Sequence, residues 1–270
     1  MDLGLGGRAC VVTGAGRGIG RATARMLCEA GGQVLLVART ADEVAEAAAE
    51  CGRAGAAANG RAAHLALDVT DADAGERILA EATDRFGGLD VIVNNAGTAR
   101  WRDLDDVPEA DWYAAWELNV MAPMRLMKVA LPPMAERGWG RVVNVASSAG
   151  KRPSQQIGEY SVAKAAELSL SRLFAERFAG SGVLVNAICP GLVTSEMWLE
   201  EGGMLDQLVE HGGHESRERA LEGAVASRPI RRAAEVDEIA SAIAFLCSAR
   251  ASYVVGSAWS VDGGAVQVII

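Results

Sequence analysis

Thr13-Gly14-Ala15-Gly16-Arg17-Gly18-Ile19-Gly20 stands directly after the apolar run Ala9–Val12 and opens the helical stretch Ile19–Ala30. A strand that ends in a glycine-rich turn and re-enters as a helix is the start of a phosphate-binding βα unit. Glycines remove the side chains that would hold a ligand away from backbone N–H groups, and the helix N-terminus adds about half a positive charge. The spacing is G-x-x-x-G-x-G rather than the commoner G-x-G-x-x-G.

Outward from this turn, apolar runs alternate with helix-length segments. The runs are Gln33–Val37, His64–Leu67, Leu89–Val93, Arg141–Val145, Val183–Ile188 and Ala258–Val261. The helical segments are Ala41–Cys51, Asp73–Phe86, Glu109–Leu118, Met121–Arg137, Tyr160–Ala179 and Val236–Ser248. Strands alternating with helices predict parallel βαβ units. The fold class is therefore α/β, a Rossmann-like doubly wound parallel sheet of about seven strands with helices on both faces. Near-continuous Val/Leu runs such as Val34–Val37 suit strands buried on both faces. A chain of 270 residues fits one domain of this kind, covering 1–270.

No apolar run approaches the ~20 residues of a membrane span, and the first residues lack the pattern of a signal peptide. The cytoplasm is the expected compartment. The five cysteines are scattered and odd in number, which fits buried free thiols rather than a disulfide frame or a zinc site. The three histidines make no ligand set, and a net charge of −9 argues against nucleic acid and anionic membranes as partners.

Tyr160 is followed four residues later by Lys164, and Ser147 lies thirteen residues before the tyrosine. Positions i and i+4 share a helix face. A cation beside a phenol favours the phenolate and lowers its pKa from about 10 toward neutrality, which suits proton transfer at working pH. At the end of the second strand, Ala38 stands where an acidic residue would bind a ribose 2′-hydroxyl, and Arg39 follows. A cation there suits a 2′-phosphate, and Arg17 stands ready to help, so NADP(H) is favoured over NAD(H).

These residues together resemble the short-chain dehydrogenase/reductases, in their single-domain branch. Thr13–Gly20 matches the family's TGxxxGxG, Asn94-Asn95-Ala96-Gly97 its NNAG, and Pro190–Ser195 its PGxxxT with Ser195 in place of threonine. Leu67-Asp68-Val69 and Val261-Asp262-Gly263-Gly264 match turns after the third and last strands. The resemblance implies a catalytic set of Asn119, Ser147, Tyr160 and Lys164. It implies a dinucleotide held by Gly14, Arg17, Gly18, Ile19 and Gly20, by Arg39, Asp68 and Val69, by Asn95, Ala96 and Gly97, by Tyr160 and Lys164, and by Pro190, Gly191, Val193 and Ser195. Thr194 is expected to help anchor the carboxamide. The implied reaction is hydride transfer between a nicotinamide and a ketone or secondary alcohol, with no metal.

The substrate is less legible. A 3-oxoacyl thioester on an acyl carrier is one expectation, with Arg137, Arg141, Arg172 and Arg177 as a docking patch. A diol, polyol or cyclic secondary alcohol is the alternative, with Met197, Trp198, Met204 and Leu205 as an apolar wall. Glu196–Arg228 reads as a substrate lid (196–228). Glu159 is expected near the site mouth, and His211 or His214 is a lesser candidate for touching substrate. The family resemblance implies a homotetramer, with the apolar end Ala265–Ile270 at a subunit contact. A non-catalytic nucleotide sensor is the reading of a different class.

Overall fold

In the computed structural model, which describes residues 2–226 and 228–267, each apolar run becomes a strand, and between consecutive strands lies a helix long enough to cross back over the sheet. The first half runs β1 Ala9–Thr13, α1 Gly18–Glu29, β2 Gln33–Ala38, α2 Ala41–Gly55, β3 Arg61–Ala66, α3 Ala74–Phe86 and β4 Val91–Asn94. Next come α4 Glu109–Trp116, α5 Ala122–Glu136, β5 Gly140–Val145, α6 Ser148–Lys151, α7 Gly158–Phe178 and β6 Val183–Pro190. The chain then forms α8 Glu196–Leu199, α9 Met204–Gly212, α10 Arg217–Ala226, α11 Val236–Cys247 and β7 Ala258–Val261. The seven strands form one parallel sheet in the order β3-β2-β1-β4-β5-β6-β7.

Strand alternation splits the core in two. Cys10, Val12, Val34 and Leu36 face one way and pack under α1, α2 and α11. Val11, Leu35 and Val37 face the other way, toward α3, α5 and α7. Helices cover both faces, which is why these strands carry apolar residues at every position rather than at every second one. All five cysteines are buried and unpaired.

The strand order reverses between β1 and β4, so a crevice opens at their carboxyl ends, the place where such sheets bind ligands. The crevice is stitched from both sides. Thr13 Oγ1 accepts from the N–H of Asn95 (3.0 Å) and of Ala96 (3.1 Å). The Asn95 amide donates to the carbonyls of Thr13 (2.9 Å) and Gly14 (3.1 Å). Gly14 has φ of +63°, a conformation that glycine adopts without strain. A Cβ on Gly20 would run into the Gly14 carbonyl and the Asn95 amide.

Three sequence expectations need correction. β3 begins at Arg61 rather than His64, because its register follows the full length of β2, from Gln33↔Arg61 to Ala38↔Ala66. The helices expected around Asn119 are one continuous element, joined by a π-turn over Glu117–Met121. The basic patch does not assemble. Arg141 is 4% exposed, stacks on Trp139, and donates to the carbonyls of Gly140, Gly182 and Ser248. Arg137 donates to the Leu89 carbonyl, and Arg172 pairs with Glu176. Arg137 and Arg141 also sit at the amino end of β5, away from the crevice. Residues 268–270 of the apolar end lie outside the described residues.

Gly20→Ala should force the turn apart, at a cost of about 1–3 kcal/mol of the kind overpacking brings. Thermal or urea unfolding of this variant checks it, and an unchanged stability would show that the turn has slack.

Candidate active site

α7 begins at Gly158, so Tyr160 lies in its first turn and Lys164 one turn on. Lys164 is 2% exposed. A charge this far from water needs partners, and it has two: Nζ donates to the Val145 carbonyl at 2.7 Å and to Glu167 Oε2 at 2.8 Å. Nζ sits 5.6 Å from the centre of the Tyr160 ring. Burial pulls the Lys164 pKa down, but the charge and hydrogen bond of Glu167, with Tyr160, outweigh it and hold it above the usual lysine value. Burial pushes the Glu167 carboxyl up to about 7, against the pull of Lys164.

A polar chain backs this pair. Asn94 donates to Asn144 (2.7 Å), Asn144 to Ser171 (2.8 Å), and Ser171 to the Glu167 carbonyl (2.7 Å). Satisfied networks of this kind rigidify what they surround.

Ser147 leaves β5 and caps α6; its Oγ accepts from the Ala149 N–H at 3.1 Å. The hydroxyl hydrogen is left to donate elsewhere. Asn119 sits in the π-turn, a distortion common at functional sites. Its Nδ2 donates to the Ala115 carbonyl (2.8 Å), and its Oδ1 is buried without a partner among the described residues. Gly97 leaves room beside both groups: a Cβ there would lie 3.2 Å from Asn119 Oδ1 and 3.6 Å from Lys164 Nζ.

Ser147, Tyr160 and Lys164 line one cavity of about 560 Å³ at the carboxyl ends of the strands. Ile19, Asn95, Gly97, Pro190, Gly191, Val193 and Ser195 line it as well. The rest of the wall includes Trp101, Met197, Trp198, Met204 and Leu208, with Arg152 and Arg228. Trp101 is tied to α9, its N–H donating to Gln207 Oε1 at 2.7 Å.

Other candidates lie outside this cavity. Val69 and Ala96 face a separate small pocket with Thr13 and Glu167. Gly14, Arg17, Gly18 and Gly20 form the turn at the foot of α1. Arg17 pairs with Glu200 of the α8–α9 junction and lies 4.0 Å from Glu43. Arg39, its side chain 78% exposed, stands 3.9 Å from Asp68. Burial raises the Asp68 pKa, but hydrogen bonds from Thr70 and the charge of Arg39 bring it below the usual value.

Several expectations fail here. Thr194 does not face the cavity; its hydroxyl is engaged with the Ala234 carbonyl (3.1 Å) and Glu235 (2.7 Å). Leu205 is buried behind the wall and Leu208 stands in the position expected for it. Glu159 is buried away from the mouth, and His211 stacks on Trp101 rather than lining the cavity.

Residues 8–205 match the family model for short chain dehydrogenase. The chain belongs to the short-chain dehydrogenase family. It is 38% identical to cis-4-hydroxycyclohexanecarboxylate dehydrogenase of Sinomonas cyclohexanicum, over 97% of each chain. It is 34% identical to the 3-oxoacyl acyl-carrier-protein reductase of Vibrio cholerae, over 98% of this chain and 100% of the relative. Its fold matches L-sorbose reductase from Gluconobacter frateurii, solved with NADPH and L-sorbose, at a TM-score of 0.91 and 33% identity over all of both chains.

In this short-chain dehydrogenase, two cavity residues, Arg152 and Arg228, and the carboxylate behind Lys164, Glu167, escaped the sequence reading. Glu167 had a usable signal, a carboxylate one turn beyond the lysine on the same face. Arg152 and Arg228 had none, because nothing in the order of residues brings 152 beside 228.

Glu167 sets a pH dependence. Its folded pKa of about 7 exceeds the ordinary carboxylate value, so between roughly pH 4.5 and 7 the folded state holds a proton that the unfolded chain has released. Stability from this group therefore falls as pH rises through that window. The stability of the protein relative to its Glu167→Gln variant, measured in urea across pH 4.5–8, should decline with rising pH. A flat difference would refute it.

Proposed function

We propose that the protein is an NADP(H)-dependent oxidoreductase that interconverts a ketone and a secondary alcohol on a small molecule. The observation that carries this reading is the convergence of Tyr160, Ser147 and the buried Lys164 on one cavity. A bound nicotinamide dinucleotide supplies or takes the hydride. The chain supports it with bare backbone at Gly14–Gly20, with Lys164 for the nicotinamide ribose, and with Pro190, Gly191, Val193 and Ser195 for the ring.

In the reducing direction, the carbonyl oxygen gains negative charge as the hydride arrives. Ser147 donates its free O–H to that oxygen, which is where charge develops and where a preorganised donor counts most. Tyr160 transfers its phenolic proton to the same oxygen, completing the alcohol. The ammonium of Lys164 stabilises the phenolate left behind. The space beside Gly97, within reach of both Asn119 Oδ1 and Lys164 Nζ, suits a water that returns the proton. In the oxidising direction every step reverses.

Arg39 supports NADP(H): it is exposed at the end of β2, with only a long contact to Asp68, so it is free to meet a 2′-phosphate. Residues 196–228 act as the lid. Met197, Trp198, Met204 and Leu208 of this segment line the cavity, and Glu200 reaches Arg17 of the glycine turn. A carrier-bound 3-oxoacyl thioester is the weaker substrate class, since its basic docking patch is not formed. A homotetramer is supported by Val162 and Leu173 of α7, which are 48% and 62% exposed, more apolar surface than a helix gains by showing to water.

Tyr160→Phe should lower NADPH oxidation on any ketone the protein accepts by about 10²-fold or more, with NADPH binding retained. Activity within a factor of about ten of the parent would reject Tyr160 as the acid. Arg39→Asp should move preference from NADPH toward NADH, read as the ratio of kcat/KM for the two cofactors. An unchanged ratio would assign Arg39 to the surface.

A further inference from the structure

The cavity is lined by two guanidinium groups, Arg152 and Arg228, and by no aspartate or glutamate among the described residues, in a chain whose net charge is −9. Lys164 also lines it, but Glu167 balances that charge from behind. Neither Arg152 nor Arg228 makes an ion pair with any described residue, although most arginines of this chain do. Arg228 is half-buried, and its Nε is buried without a hydrogen-bond partner among the described residues. Burying a guanidinium nitrogen with no acceptor is costly, and chains tolerate it chiefly where a ligand supplies the acceptor.

The carboxylate whose charge acts on Arg228 is already engaged. Asp262 accepts from the N–H of Gly264 (3.0 Å) and of Val266 (2.9 Å). Its field partly offsets the lowering of the Arg228 pKa by burial without neutralising the guanidinium.

The phosphates of the dinucleotide do not account for this cation. They belong at the glycine turn after β1. Arg228 is carried by the segment that docks on the exit of β7, where the Ile230 N–H donates to the Gly263 carbonyl. β7 is four strands from β1 in the sheet, a separation of about 19 Å at the usual strand spacing. The same cavity wall also carries the apolar residues Met204, Leu208, Ala224 and Val266.

We propose that the substrate carries a carboxylate, that Arg228 binds it, and that Arg152 adds a second positive charge to the same cavity. The substrate class is then a small keto acid and its hydroxy acid, the carbonyl held at Ser147 and Tyr160, the carboxylate at Arg228, and a hydrocarbon body between them against Trp198 and Met204. A guanidinium offers a planar pair of N–H groups that the two charged oxygens of a carboxylate accept together, a charge-assisted pair that a neutral ester cannot form. The two arginines are specificity-determining residues: they select the anion and take no part in proton transfer. This assignment rests on the oxidoreductase reading above.

The experiment compares short-chain and cyclic keto acids with their methyl esters, following NADPH oxidation by the parent, Arg228→Ala, Arg228→Lys and Arg152→Ala. The parent should prefer acid to ester in kcat/KM by about ten- to a hundredfold, as a charged hydrogen bond predicts. Arg228→Ala should lower that preference at least about tenfold, raising KM for the acid far more than for the ester, and Arg228→Lys should restore part of it. An unreactive carboxylate of the same shape should inhibit the parent and not Arg228→Ala. Esters and acids turned over equally by the parent, or Arg228→Ala lowering both alike, would overturn the proposal and leave the oxidoreductase reading standing. NADPH binding with no turnover of any ketone, acid or ester, would overturn that reading and this proposal with it.

Discussion

An ammonium group buried to 2% exposure governs the architecture around it. Lys164 stays charged out of water only because Val145 offers a carbonyl from the end of β5 and Glu167 a carboxylate from one turn further along α7. Both must be held within hydrogen-bond reach, which fixes how α7 lies on the sheet. The chain Asn94–Asn144–Ser171 extends the same constraint through β4 and β5. Breaking such a pair costs far more than replacing it whole, so the arrangement is rigid as a unit. Tyr160 inherits its position from it.

A second constraint joins the first at the crevice. Thr13 and Asn95 exchange hydrogen bonds between the exits of β1 and β4, so the glycine turn and the loop bearing Gly97 keep one spacing. Gly97 abuts both Asn119 and Lys164. The glycine turn and the Tyr160–Lys164 pair are thereby parts of one scaffold, with the bare backbone at Gly14 and Gly20 as its condition. The segment after β6 is joined to the body by surface pairs such as Arg17–Glu200, by the Trp101–Gln207 contact and by the buried Met204, Leu205 and Ala220.

Much of this was legible in the order of residues. The apolar runs announced their strands because strands covered on both faces need no polar positions, and the helix between each pair required parallel crossovers. The i, i+4 spacing of Tyr160 and Lys164 announced a shared helix face. Errors arose where local pattern and pairing disagree. His64 looked like the start of β3, yet the ladder with β2 begins at Arg61, since register is set by the neighbouring strand. Arg141 looked like surface because it is charged, yet Trp139 and three carbonyls hold it inside.

By itself the sequence determined the alternation of strands and helices, the glycine turn and the shared helix face of Tyr160 and Lys164, because each depends on spacings within one or two neighbouring elements; Ser147 joined them through the family resemblance. Only the tertiary structure decided what the lysine leans on, which way Thr194 and Glu159 turn, and that Arg152 and Arg228 share a cavity without a carboxylate. Those facts depend on the meeting of segments remote in the chain, and on burial, which makes an unpaired polar atom costly and hence informative.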